Sequence, residues 1–195
     1  MKGLSLIVTD TGPLITLAVA GALDAIFLPG LPVIIPDMVR FEVIQDLTKP
    51  GAQVIADWIR ANDPYRVSVR TTEVFEEFMT LRSINPATKT KNRGEQSAAE
   101  VLGKELDDLE YGGILLFEDS AVRKSNFLVR LPDSVVVTST SEFLHGLEGE
   151  GLLESAQDVL MRAVTIRGNE VLTRYLQGSE NSEPLNQWSH QMQPQ

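Results

Sequence analysis

Two stretches of the chain are almost wholly apolar and then stop at acids. Leu4 to Val8 is dominated by apolar residues and ends in Asp10, and Ile114 to Phe117 runs into Glu118-Asp119. A continuous apolar run of this length is the pattern of a strand covered on both faces. Val33-Ile34-Ile35 and Val135-Val136-Val137 are shorter strands, and Tyr65 to Arg70 alternates with Val67 and Val69 on one side.

Between these runs the apolar spacing becomes helical. Pro13 suits a first helical turn, with Asp10 or Thr11 as its cap. Leu14, Leu17, Ala18, Gly21, Ala22 and Ala25 continue that spacing as one segment. Further helices are predicted over 37–46, 52–61, 73–82 and 95–109, then a short one through about Phe127. Thr138 to Ser141 caps a helix holding Phe143, Leu144 and Leu147, and helices over 152–163 and 169–176 follow. Alternating strands and helices predict an α/β fold with a central parallel sheet flanked by helices on both faces. The organisation expected is one domain over 1–165, a C-terminal helix within 166–177, and a polar, disordered tail over 178–195, rich in Ser, Asn, Gln and Pro.

Composition narrows the chemistry. The chain has no cysteine and two histidines, His145 and His190, far apart in sequence. Disulfides and thiolate zinc sites are therefore excluded, and a metal site would be built from oxygen ligands, which suit Mg²⁺, Mn²⁺ or Ca²⁺. The net charge of −10 argues against broad electrostatic binding to nucleic acid while leaving room for a local basic groove. Asp10 interrupts the amino-terminal apolar run, and Asp24 ends the next one before it could span a bilayer. A soluble, cytoplasmic protein is expected.

In a parallel sheet the carboxyl ends of the strands share one edge, where ligands bind. Asp10 and Asp119 follow the two most apolar strands, Glu95 opens the strongest helix, and Glu42 sits in an early helix that can reach the same edge. Each has an ordinary alternative. Asp10 and Asp119 could be helix caps, Glu95 could answer the helix macrodipole, and a lone helical glutamate such as Glu42 is usually solvated. Their joint placement favours a shared role, because clustered carboxylates need cations to offset their repulsion. Residues 83–94 lack periodicity and carry Lys89, Lys91 and Arg93 without an acid. That basic loop runs straight into Glu95, and Arg123 and Lys124 lie one turn past Asp119. These five cations are candidate contacts for a polyanion. Asp10-Thr11-Gly12 is also the triplet of aspartic proteases, but it occurs once and a helical pattern follows it.

Together, the strand ending in Asp10-Thr11-Gly12-Pro13-Leu14-Ile15, the helix with Glu42, the helix opening Gly94-Glu95-Gln96-Ser97-Ala98 and the strand ending at Asp119 resemble the PIN domain. The closer resemblance is to a prokaryotic PIN-like subgroup allied to virulence-associated ribonuclease toxins. It covers roughly residues 4–163. The resemblance implies a Rossmann-like PIN fold and metal-dependent cleavage of RNA. Asp10, Glu42, Glu95 and Asp119 would be the acidic residues holding Mg²⁺ or Mn²⁺, with Thr11 supporting them through its hydroxyl. Thr138, at the end of the last strand, stands where the subgroup often has Gly-Thr-x-Gly. A toxin of this kind would be met by an antitoxin segment lying across the acids and supplying a basic residue, and homodimerisation is a further implication. The competing expectation is a catalytically silent PIN scaffold that acts by protein association.

Overall fold

The structure is a computed structural model, and it describes residues 3–106, 111–118 and 131–167. Among the described residues the chain forms five strands and seven α-helices. The strands are β1 (Leu4–Thr9), β2 (Val33–Pro36), β3 (Val67–Arg70), β4 (Gly112–Phe117) and β5 (Val135–Ser139). The helices are α1 (Thr11–Val19), α2 (Asp37–Ile44), α3 (Ala52–Asn62), α4 (Glu73–Ile84), α5 (Arg93–Leu106), α6 (Thr140–Gly149) and α7 (Ala156–Arg167).

The sheet is wholly parallel with order β3-β2-β1-β4-β5, a Rossmann-like arrangement. The apolar runs now have their cause. Ile7, Val33, Ile35, Ile114 and Leu116 face a core built with α1, α3, α6 and α7. Leu6, Val8, Ile34 and Leu115 face the opposite way, onto Ala98, Val101, Leu102 and Leu106 of α5. β4 is buried along its whole length, and β1 is buried from Leu6 to Thr9. Val8, Ile114 and Leu115 are fully buried.

Several boundaries differ from the sequence pattern for local reasons. The predicted helical run from Leu14 to Ala25 is two pieces, because the chain turns at Gly21 with φ +65° and resumes as a 3₁₀ turn over Leu23–Phe27. Gly112 and Gly113 belong to β4 itself. A Cβ on Gly112 would lie 2.3 Å from the Ser134 carbonyl, and one on Gly113 would lie 3.0 Å from Leu6. Close approach of neighbouring chain therefore requires glycine there. The α4 helix runs two residues past its predicted end, and α7 starts at Ala156 instead of Leu152. The short helix expected before Phe127, the helix at 169–176 and the polar tail lie outside the described residues. Among the described residues no helix is long and apolar enough to cross a membrane.

Candidate acidic site at the switch between β1 and β4

Connections from β1 lead to one side of the sheet, toward β2 and β3, and β4 leads to the other, toward β5. The carboxyl ends of β1 and β4 thus flank the point where strand order reverses, the usual ligand crevice of an open α/β sheet. Asp10 is the first residue after β1, and its backbone N–H donates to the Leu116 carbonyl at 3.0 Å. That bond extends the pairing by one residue and fixes Asp10 beside the end of β4.

Asp10 occupies the N-cap position of α1, but its side chain makes no capping hydrogen bond to the helix. The carboxylate instead shares its surroundings with other acids. Burial pushes its pKa up to about 7 from 3.8, the Thr11 N–H opposes the rise, and negative charge on Glu95, Glu42 and Glu118 adds to it. Glu42 is raised as well, chiefly by burial and further by Glu95, while hydroxyls of Thr11 and Thr90 hold it down. Thr11 Oγ1 donates to Glu42 Oε2 at 2.7 Å. Thr11 and Glu42, both expected at the site, are thus joined by a hydrogen bond.

Gly94 explains how α5 closes on these groups. A Cβ at residue 94 would stand 3.0 Å from Asp10 Oδ1 and 3.2 Å from Glu42 Oε2. Both carboxylates press on the same bare stretch of backbone, next to Glu95 in the first turn of α5. The turn that leads there is held by Asn92, at φ 60°, and by the Arg93 N–H, which donates to the Thr90 carbonyl at 2.9 Å. Asparagine tolerates that left-handed conformation better than most side chains.

The acid set at the end of β4 among the described residues is Glu118. Its Oε1 accepts from Thr16 Oγ1 at 2.5 Å and from Thr140 Oγ1 at 3.2 Å, which ties the first helix to the start of α6. Gly12 makes room for it, since a Cβ there would lie 2.7 Å from Glu118 Cβ. Asp119, Arg123 and Lys124 lie outside the described residues. Glu118 was within reach of sequence reasoning, because it carries the same signal as Asp119, an acid directly after a buried strand.

Thr138 pairs with Leu116, which also pairs with Thr9, so the three form one row across the sheet. The Thr138 side chain is buried, and its hydroxyl has no hydrogen-bond partner among the described residues. Ser139 caps α6 through a reciprocal box with Glu142. Lys89 and Lys91 are exposed on the loop before α5, and Thr90 between them reaches Glu42. Arg93 turns the other way, 3.6 Å from Glu77 and against the Phe78 ring. Its charge is directed at α4 instead of the acids.

The donor set suits a hard divalent cation. Every candidate ligand is an oxygen, and mutual repulsion among the carboxylates raises the cost of keeping them ionised without a counter-charge. Among the described residues no three acidic or histidine side chains are already spaced to hold a single ion. No protein-family model matches the chain. No curated protein matches its sequence either.

Proposed function

We propose that the protein is a PIN-like, metal-dependent endoribonuclease of the toxin type, working in the cytoplasm. The observation that carries this reading is Asp10. It follows the central strand at the switch point, leaves its helix uncapped, and shares its surroundings with Glu42, Glu95 and Glu118 at a cost to its own ionisation.

Asp10, Glu42 and Glu95 would hold Mg²⁺ or Mn²⁺, with Asp119 as the expected fourth ligand. A bound cation there supplies activation of water and neutralises charge at the scissile phosphate. The chain's own groups prepare the site. Thr11 holds the Glu42 carboxylate by a hydrogen bond, and the Thr90 hydroxyl also lowers its pKa. The Asp10 carboxyl, pushed up to about 7 chiefly by burial, would have to lose its proton to ligate a cation, so affinity would rise with pH. Gly94 lets the first turn of α5 bring Glu95 alongside. No histidine or cysteine enters, in keeping with a chain that has no cysteine and two histidines.

The test is cleavage of single-stranded RNA by the full chain across divalent metals, beside Asp10→Asn and Glu95→Gln. Wild type cleaves with Mn²⁺ or Mg²⁺ and stops with EDTA, and each variant loses at least about a hundredfold. Equal rates for wild type and Asp10→Asn defeat the mechanism. Absence of Mn²⁺ binding by calorimetry at millimolar metal favours the silent-scaffold reading, in which an antitoxin-like partner covers the acids.

A further inference from the structure

A second group of charges lies next to the acids and has the opposite sign. From Arg82 to Gly94 the chain carries only cations among its ionisable residues. Within this stretch an open depression of about 450 Å³ is lined by Arg82, Lys89, Lys91, Thr88 and Thr90, with Gln45 on its other side.

Of the cations that line the depression, Arg82 stands beside aromatic rings. Its guanidinium lies 4.9 Å from the Phe41 ring centroid and 5.7 Å from that of Phe78. Phe75 completes the aromatic cluster, 5.7 Å from Phe41 and 6.2 Å from Phe78. The rings orient the planar guanidinium without neutralising it. Arg70, Arg93 and Lys104 are each paired with a carboxylate, whereas among the described residues no acid pairs with Arg82.

The depression borders the helix that carries Glu42. Thr90 lines it, and its hydroxyl is one of the groups that hold the Glu42 pKa down. Gln45 lines it from the end of α2 and donates to the Glu42 carbonyl at 3.4 Å. In a chain of net charge −10, it gathers three cations beside the carboxylates.

We propose that this depression is a phosphate-binding subsite for a single-stranded RNA, with Arg82 as its oriented charge, Lys89 and Lys91 as added charge, and Thr90 as its link to the acidic site. The choice of strand rests on the ribonuclease reading. The ligand chemistry itself, a phosphodiester on a fixed guanidinium with a hydroxyl and an amide nearby, rests on the depression alone.

The experiment is fluorescence anisotropy of a labelled oligouridylate with the full chain in EDTA, so that no cleavage intervenes. Wild type binds with an affinity that falls as salt rises. Arg82→Ala weakens binding about tenfold at fixed salt, and Arg82→Lys falls between the two. Lys89→Gln with Lys91→Gln lowers the slope of log affinity on log salt by about 1.4, the value for two lost contacts to a single strand. These lysines are exposed, so the double variant decides the matter if Arg82→Ala fails to fold by circular dichroism. Unchanged binding by the folded variants overturns the subsite. Inorganic phosphate that competes as well per phosphate as the oligonucleotide reduces it to a free-anion site, and equal competition by polyglutamate reassigns it to an acidic polypeptide; either overturns the RNA assignment. Binding that depends on Arg82 without any metal-dependent cleavage leaves the subsite standing and removes the ribonuclease reading. Cleavage with binding indifferent to Arg82 does the reverse.

Discussion

The Asp10 carboxylate lies directly against the backbone of Gly94, with one oxygen 3.0 Å from where a Cβ would be. Glu42 meets the same point at 3.2 Å. Gly94→Ala should therefore separate stability from metal binding. Alanine is the better helix former by up to about 1 kcal/mol, which offsets part of the crowding. Urea denaturation of the metal-free variant is expected within about 1 kcal/mol of wild type, while Mn²⁺ affinity by calorimetry drops about tenfold as the two carboxylates are pushed aside. Undisturbed affinity would mean that these oxygens do not ligate.

Asp10 makes the metal-free protein sensitive to pH. Its carboxyl is pushed up to about 7, chiefly by burial, against 3.8 as the ordinary value. Between those values the folded chain holds a proton that the unfolded chain has released. Stability therefore falls as pH rises through that window and levels off above it. Asp10→Asn removes the cost and should stabilise the EDTA-treated protein at pH 8 by roughly 1–3 kcal/mol, with little gain at pH 3. Thermal melts at the two pH values read this out. A variant less stable than wild type at pH 8 contradicts it.

The Glu42 carboxylate depends on two hydroxyls, from Thr11 and Thr90, that hold its pKa below the level burial would set. Thr11→Val with Thr90→Val should move its titration upward. Carboxyl carbon NMR of Glu42 in metal-free protein measures that shift without relying on activity. Thr11→Ser keeps a donor and should restore most of the wild-type value.

Gly12 and Glu118 form a steric pair. A methyl on residue 12 would lie 2.7 Å from Glu118 Cβ and 2.9 Å from its Oε2. Gly12→Ala is expected to destabilise by about 1–3 kcal/mol, since neither backbone helix nor strand end can yield freely. Combining it with Glu118→Ala relieves the clash, so the double variant should lose less than the sum of the singles in urea denaturation.

Thr138 carries a buried hydroxyl without a partner among the described residues. Thr138→Val keeps the β-branched shape and removes the unsatisfied group, which should leave stability equal or raise it by up to about 1 kcal/mol. If RNA cleavage falls while the melting temperature does not, Thr138 serves the site and not the core.

The fold was legible in the sequence because its central strands are apolar on both sides. A sheet covered on both faces gives that pattern, and Leu6 and Ile7, facing opposite cores, show why. The parallel sense followed from the intervening helices. Asp10 could be singled out for the same reason, as the polar residue that ends such a run. The break at Gly21 was hidden, since a glycine at helical spacing continues the pattern until its backbone turns the other way.

Distances between remote segments were beyond the sequence. Nothing along the chain tells that Gly94 faces Asp10 and Glu42, that Thr90 reaches Glu42, or that Glu118 is held by Thr16 and Thr140. Those relations depend on strand order and helix packing, which place β1 beside β4 and close α5 over the switch point. The same holds for Arg82. Its residue type reads as one more helical cation, and only the Phe41 and Phe78 rings beside it orient its charge. The sequence by itself determined which residues are acidic, which are apolar, and where the backbone must be bare. The tertiary structure decided which of the acids share one low-dielectric neighbourhood, because like charges are brought together only by packing strong enough to outweigh their repulsion.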